Sequence, residues 1–242
     1  MLCTHAQVKA RLGIVATDTT DDATFDEIIA GVSAAMAKAA GRTLNGVPCL
    51  EYGSYVQYFS PPYGAKYIWS AAWPIVAVSE VNEALFEAFA TGHVLTVNQD
   101  YQVRSPLGRL YRIGMWLPGE STVRLTYTAG YTFAAAWISG AAYAVGDVVQ
   151  DVGIVYACKS IVSGSTHPAT DTTHWTLQAG QIPLPFDVIN AAIKQAQFEY
   201  QRKSQVGLAS SSAGGSAWAG DPDGLLDVVK KLMASYGRRV GA

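Results

Sequence analysis

The stretch Leu107–Tyr131, LGRLYRIGMWLPGESTVRLTYTAGY, constrains this chain more than any other. Val123, Leu125 and Tyr127 alternate with Thr122, Arg124, Thr126 and Thr128, a period of two that gives a strand one apolar face. Arg109 to Arg112 reads as a second strand, and the Pro118-Gly119 turn between the two predicts an antiparallel pair. The scaffold resumes at Ile182 with IPLPFDVINAAIKQAQFEYQRK. There Pro183 and Pro185 break the chain before Phe186, Ile189, Ala192, Ile193, Ala196 and Tyr200, which recur at amphipathic-helix spacing. The residues between, Thr132 to Gly180, are rich in Ala, Gly, Thr and aromatics and poor in charge, and they read as a passenger.

A chain of 242 residues admits one or two domains, and 50% hydrophobic content suffices for a buried core. The balance of 17 basic against 19 acidic residues argues against a protein that grips nucleic-acid phosphates through a net positive surface. Cys3, Cys49 and Cys158 are odd in number and widely spaced, with no CxxC, so reduced thiols are expected rather than a disulfide framework or a metal site. The start, MLCTHAQVKARLG, lacks the apolar run of a signal peptide. Leu125 to Gly146 is uncharged and nominally long enough for a bilayer. Its glycines and strand patterning predict a soluble segment instead, with no membrane partner.

Thr4-His5-Ala6-Gln7 matches a capping box opening a helix that carries Val8 and Leu12. A second helix follows the acidic approach Thr17 to Asp22, which suits the positive end of a helix dipole. Its stripe is Phe25, Ile28, Ile29, Val32, Ala35, Met36 and Ala39, closed by Gly41. From Asn45 to Val103 the period shifts toward two, with candidate strands at 54–59, 66–69, 75–81, 93–96 and 101–104. The aromatics here, from Tyr52 to Trp73, fit a pleated half-buried surface, with a stacking platform or a protein interface as the functional reading. Gly207 to Gly220 has linker composition interrupted by Trp218. Beyond it Leu225, Val229, Leu232 and Tyr236 form a terminal helical stripe, with Arg238 and Arg239 near the negative end of its dipole. Such a helix either reaches a partner or folds back onto its own core.

No nucleophile–base pair, carboxylate pair in context, metal-ligand spacing or phosphate loop stands out, so neither an enzyme nor a cofactor is expected. His5, His93, His167 and His174 sit in different contexts. Asp18, Asp21 and Asp22 lack the glycine and closing Glu of a calcium loop.

The ordered set VKARLGI, TTDDATFDEIIAGVSAAMAKAAGRTL, WPIVAVSEV, DYQV, GRLYRIG, VRLTYTAGY and VINAAIKQAQFEYQRKSQVGLAS resembles the head-tail connector (adaptor, or head-completion) proteins of tailed bacteriophages. The resemblance covers most of the chain outside Thr132 to Gly180. It implies a structural virion protein at the neck, assembled in the host cytoplasm. Its subunits form a ring, typically of twelve, beneath the portal and extend the DNA channel, and DNA passes without sequence-specific binding. The ring also presents the surface for a tail terminator, stopper or tail-tube protein. The family's C-terminal segment commonly engages the portal, which by position places candidate portal contacts on Trp218, Leu225, Leu226, Val229, Leu232, Met233, Tyr236, Arg238 and Arg239.

The intervening segment departs from that family. Trp137, Tyr143, Gly146, Asp147, Val149, Gly153, Tyr156, Cys158 and Trp175 are similar to the pattern of chitin-binding type 3 carbohydrate-binding modules, which implies a three-stranded mini-sheet. Trp137, Tyr143, Tyr156 and Trp175 are then either sugar-stacking platforms or the module's core. The expected fold is α+β: a helical adaptor core (1–131 and 181–242) with a small antiparallel sheet, plus an inserted small β module (132–180). The competing function is a carbohydrate-binding phage surface or tail protein acting through that module. A hydrolase would need a pocket of titratable groups that the sequence does not present.

Overall fold

The computed structural model describes residues 1–163, 167–202 and 224–237. It falls into two compact units, 1–41 with 185–242, and 42–184. The expected helical core with a small sheet is overturned, because β structure dominates. Among the described residues there are seventeen strands in six sheets against four α-helices. Many of these strands are only two or three residues long, too short to carry a sequence period, so composition alone hid them.

The first unit holds α1 (His5–Leu12), α2 (Asp22–Ala39), α3 (Phe186–Arg202) and α4 (Asp227–Ser235). The capping box forms: Thr4 Oγ1 accepts from Gln7 N at 3.3 Å, and Gln7 Oε1 accepts from Thr4 N at 3.0 Å. Lys9 is buried, donating to Asp18 O at 2.5 Å and pairing with the Asp22 carboxylate, as a buried ammonium requires. The acidic approach to α2 therefore serves other helices more than its own dipole. Asp22 holds α1 and Asp21 accepts from Tyr200 of α3, while the Asp21 side chain makes no cap bond to α2. The α2 stripe Phe25, Ile29, Val32 and Met36 is buried, and the Phe25 and Tyr200 rings stack with centroids 4.4 Å apart. On α3, Val188 rather than Phe186 joins the buried stripe, and Phe186 is exposed at the helix start.

The second unit begins with the ribbon β1 (Thr43–Leu44) and β2 (Val47–Pro48). Then come β3 (Gly53–Phe59), β4 (Tyr67–Trp69), β5 (Ile75–Glu83), β6 (His93–Val94), β7 (Tyr101–Arg104), β8 (Arg109–Arg112) and β9 (Val123–Ala129). Two antiparallel sheets result, ordered β3–β9–β5–β6 and β4–β8–β7. The expected pairing of 109–112 with 122–128 does not occur: β8 lies between β4 and β7, and β9 lies between β3 and β5. The connection is no tight turn. It buries Trp116 completely in the core the two sheets share, with Ile68, Leu110, Val81, Leu125 and Tyr127. The alternation holds from 123 onward, with Val123, Leu125 and Tyr127 inward and Arg124, Thr126 and Thr128 outward, whereas Thr122, expected on the polar face, is buried and donates to Leu117 O at 2.6 Å.

Burial pushes the Tyr127 phenol up to about 12, so it acts as a neutral hydrogen-bonding group. It donates to Gln57 Oε1 at 3.1 Å and accepts from Ala72 N at 3.2 Å. Gly130, after β9, has φ +96, and a Cβ there would lie 2.2 Å from Glu51 O. The close backbone approach at this corner therefore demands glycine.

The remaining strands are β10 (Tyr131–Thr132), β11 (Ala135–Ala136), β12 (Ala142–Tyr143), β13 (Val148–Asp151), β14 (Ile154–Cys158), β15 (Val162–Ser163), β16 (Trp175–Leu177) and β17 (Ile182–Pro183). Parallel pairing sets Tyr131 opposite Ile182, so the two ends of the intervening segment are adjacent. Inside it, β11–β13–β14–β16 form a four-stranded sheet and β12–β15 a ribbon, enclosing a separate apolar cluster.

Candidate interaction surfaces

The terminal helix α4 turns its stripe inward. Leu225 is 5% exposed, and Val229 and Met233 are fully buried within the helical unit. The chain entering α4 is fixed by Gln195, itself 1% exposed. Its Oε1 accepts from Leu226 N at 2.8 Å, and its Nε2 donates to Gly224 O and Glu199 Oε1, both at 2.9 Å. At the far end Tyr236 donates to the Asp187 carboxylate at 2.8–2.9 Å. Of the candidate portal contacts, Leu225, Val229 and Met233 are thus occupied within the subunit. Leu226, Leu232 and Tyr236 lie at the helix border, half-buried. Trp218, Arg238 and Arg239 lie outside the described residues. Beside Leu225 a shallow apolar hollow of about 240 Å³ is lined by Ile28, Gly31, Val32, Ala35 and Glu199.

The four aromatics of the intervening segment come together in one cluster. Trp175 is 2% and Tyr156 6% exposed, and Trp137 and Tyr143 pack against them half-buried. Tyr143 meets Trp175 edge-on at 5.1 Å, and its hydroxyl accepts from Ile138 N at 2.7 Å. A sugar needs an open ring face. Two of the four rings have none, and Trp137 is met edge-on by His167 at 4.8 Å. Histidines pair with aspartates here, His167 Nε2 with Asp151 at 3.1 Å and His174 Nδ1 with Asp171 at 2.6 Å. Among the described residues no three His, Cys, Asp or Glu side chains converge to hold a metal ion. Cys3, Cys49 and Cys158 are buried and outside any disulfide, and burial pushes the Cys3 thiol up to about 11. No helix among the described residues is long and apolar enough to cross a membrane.

The outward faces of the two sheets that share the main core differ in charge. On β3–β9–β5, Arg124 of β9 pairs with Glu80 of β5 at 2.5 Å and lies over the Phe89 ring at 5.0 Å. On β4–β8–β7, Arg109 lies over Tyr67 at 4.8 Å and Trp69 at 5.4 Å, and Tyr67 meets Tyr111 at 5.2 Å. Arg104 stands opposite Arg109 in register. The aromatic content of this region was visible in the sequence. The arginines between the rings were not, because only strand register places them there.

No protein-family profile matches the chain, and no curated protein matches it. Among solved structures it is similar to a chain described as "Neck of empty GTA particle computed with C6 symmetry". The TM-score is 0.50 and the identity 13%, over 98% of this chain and 91% of that one. The two share a fold along nearly their whole lengths.

Proposed function

We propose that this chain is a structural neck component of a phage-like particle, a head-tail adaptor whose subunits close into a ring beneath the portal. The observation that carries the reading is the shared fold with a chain from the neck of a GTA particle, a phage-like gene transfer agent. The ordered motifs that resemble connector proteins support it independently, since they span both compact units. In this reading the ring extends the DNA channel and offers its far side to a tail terminator, stopper or tail-tube protein, and the chain performs no catalysis. Residues 132–180 are a guest module: their ends meet at the Tyr131–Ile182 pairing, so the scaffold accommodates them without opening.

Portal attachment falls to the C-terminal segment, with a division of labour set by burial. Leu225, Val229 and Met233 anchor α4 to its own subunit and Tyr236 is tied to Asp187, which leaves Leu226, Leu232 and the residues beyond for the partner. The test is sedimentation of the purified chain, alone and with portal. The expected result is a species of several subunits or a chain–portal complex; a chain that stays monomeric and ignores portal sinks the reading.

A further inference from the structure

The outward face of β4–β8–β7 presents Tyr67, Trp69, Gln102, Arg104, Arg109 and Tyr111, with no carboxylate among them. Arg104 and Arg109 are directly opposed, and like charges so placed repel. Among the described residues neither has an acidic partner within ion-pair distance, whereas Arg112 pairs with Glu83 and Asp100, and Arg124 with Glu80. A face of flat rings and uncompensated guanidinium groups in a chain of net charge −2 fits a ligand that is both apolar and acidic.

The same chain displays such a group. The 3₁₀ turn Leu85–Glu87, between β5 and β6, exposes Leu85 at 55% and Phe86 at 94%. Phe86 and Glu87 both have left-handed backbone, φ 55° and 58°, an arrangement that non-glycine residues keep only when the surroundings impose it. Both flanks are fixed. Ala84 N donates to Thr122 O at 2.9 Å, Asn82 Nδ2 donates to Phe89 O at 3.0 Å, and Phe89 is 8% exposed beneath Arg124. A rigid loop thus holds a bare phenyl ring beside the exposed Glu87, which has no ion-pair partner among the described residues.

We propose that the Leu85–Glu87 loop of one subunit docks on the β4–β8–β7 face of a second copy, Phe86 against Tyr67 and Tyr111 and Glu87 toward Arg104 and Arg109. The inference rests on the ring reading and names its contact. The two patches differ, so the interface is head-to-tail, the kind that closes into a ring when its rotation allows. Each patch is costly alone, the loop in exposed apolar surface and backbone strain, the face in opposed like charges. Contact covers the apolar surface and neutralises the opposed charges, while the loop keeps its left-handed backbone.

The test uses sedimentation of the full chain, alone and with portal, for wild type, Glu87→Arg, Arg104→Glu and an equimolar mixture of the two variants. Both positions are exposed, so folding is preserved, which circular dichroism checks. Wild type is expected to assemble, and each variant to weaken association at least about tenfold. The mixture is expected to regain it, because an arginine loop then meets a glutamate face while a native loop meets a native face. Single variants that assemble like wild type overturn the interface and leave the ring reading standing. Wild type that is monomeric and indifferent to portal overturns both. Variants that fail singly without rescue on mixing overturn the pairing. If Arg104→Glu assembles normally but loses retention of a labelled single-stranded oligonucleotide, the face serves nucleic acid and the proposal falls.

Discussion

Residues 135–177 and the β4–β8–β7 sheet are both short-stranded and aromatic, yet the former turn their rings in and the sheet turns several of its rings out. Trp175 and Tyr156 are nearly inaccessible, whereas Tyr67 is 48% exposed and Tyr63 in the preceding loop is 85% exposed. The difference lies in what backs each layer. Residues 135–177 enclose a small cluster of their own, and a sheet of that size coheres only if its largest side chains form the core. Behind β4–β8–β7 stand Ile68 and Leu110, joined to Val81, Leu125 and Trp116 of the shared interior, so its outer rings are surplus to folding. An aromatic run in a sequence therefore acquires its meaning from the aliphatic supply of the neighbouring layer.

The sharpest way to break this contrast is to truncate one ring on each side. Trp175→Ala removes the largest member of a cluster with few others. It is expected to cost about 3–5 kcal/mol, seen as loss of amide-exchange protection across β13 and β14. Tyr67→Ala removes ring contacts with Tyr111 and Arg109 but little buried area. Its expected cost is about 1 kcal/mol or less in a denaturant titration. Equal costs at the two sites would refute the division into core and display rings.

What could be read beforehand follows the same physics. The period of two in 122–128 fixed which side chains point inward, and Val123, Leu125 and Tyr127 are all fully buried. It did not identify the partner strand: β9 pairs with β3 and β5, residues 40 (Glu83–Val123) to 76 (Gly53–Ala129) positions earlier, and alternation carries no information about such pairing. The α2 stripe and the set Trp137, Tyr143, Tyr156 and Trp175 were legible as groups that must come together. The stripe on α4 was legible as apolar, but an apolar stripe shows that a helix is covered, not by what, and here α2 and α3 cover it. The helical weight of the expected fold was wrong because long periodic segments are easy to see and two-residue strands are not. Phe86 and Glu87 left no trace, since left-handed backbone at non-glycine residues has no sequence mark. The opposition of Arg104 and Arg109 exists only once β7 and β8 are in register.

The smallest expected effect sharpens the contrast between the two outward sheet faces, one with its arginine paired and the other without. Hydrogen bonds from Arg124 first and Asn82 second hold the Glu80 carboxyl below its ordinary value of 4.5. A carboxylate whose folded pKa lies below its unfolded one stabilises fully above the unfolded value and loses that contribution as pH falls through the folded one. Stability from this pair therefore declines on acidification below about pH 4.5. With the Glu80 side chain 35% exposed, it amounts to about 1 kcal/mol or less. Glu80→Gln is expected to lower stability at pH 7 by that amount and to flatten the upper part of the acid limb. A residual slope remains, because Asp100, bonded by Thr96 N and then Arg112, is likewise held low. Arg104→Gln removes one of two opposed cations that no carboxylate faces, so the acid limb keeps its shape and neutral-pH stability holds or rises slightly. An acid limb flattened equally by Arg104→Gln would mean that a carboxylate does reach that face within the subunit, leaving Glu87 of a second copy no charge to meet.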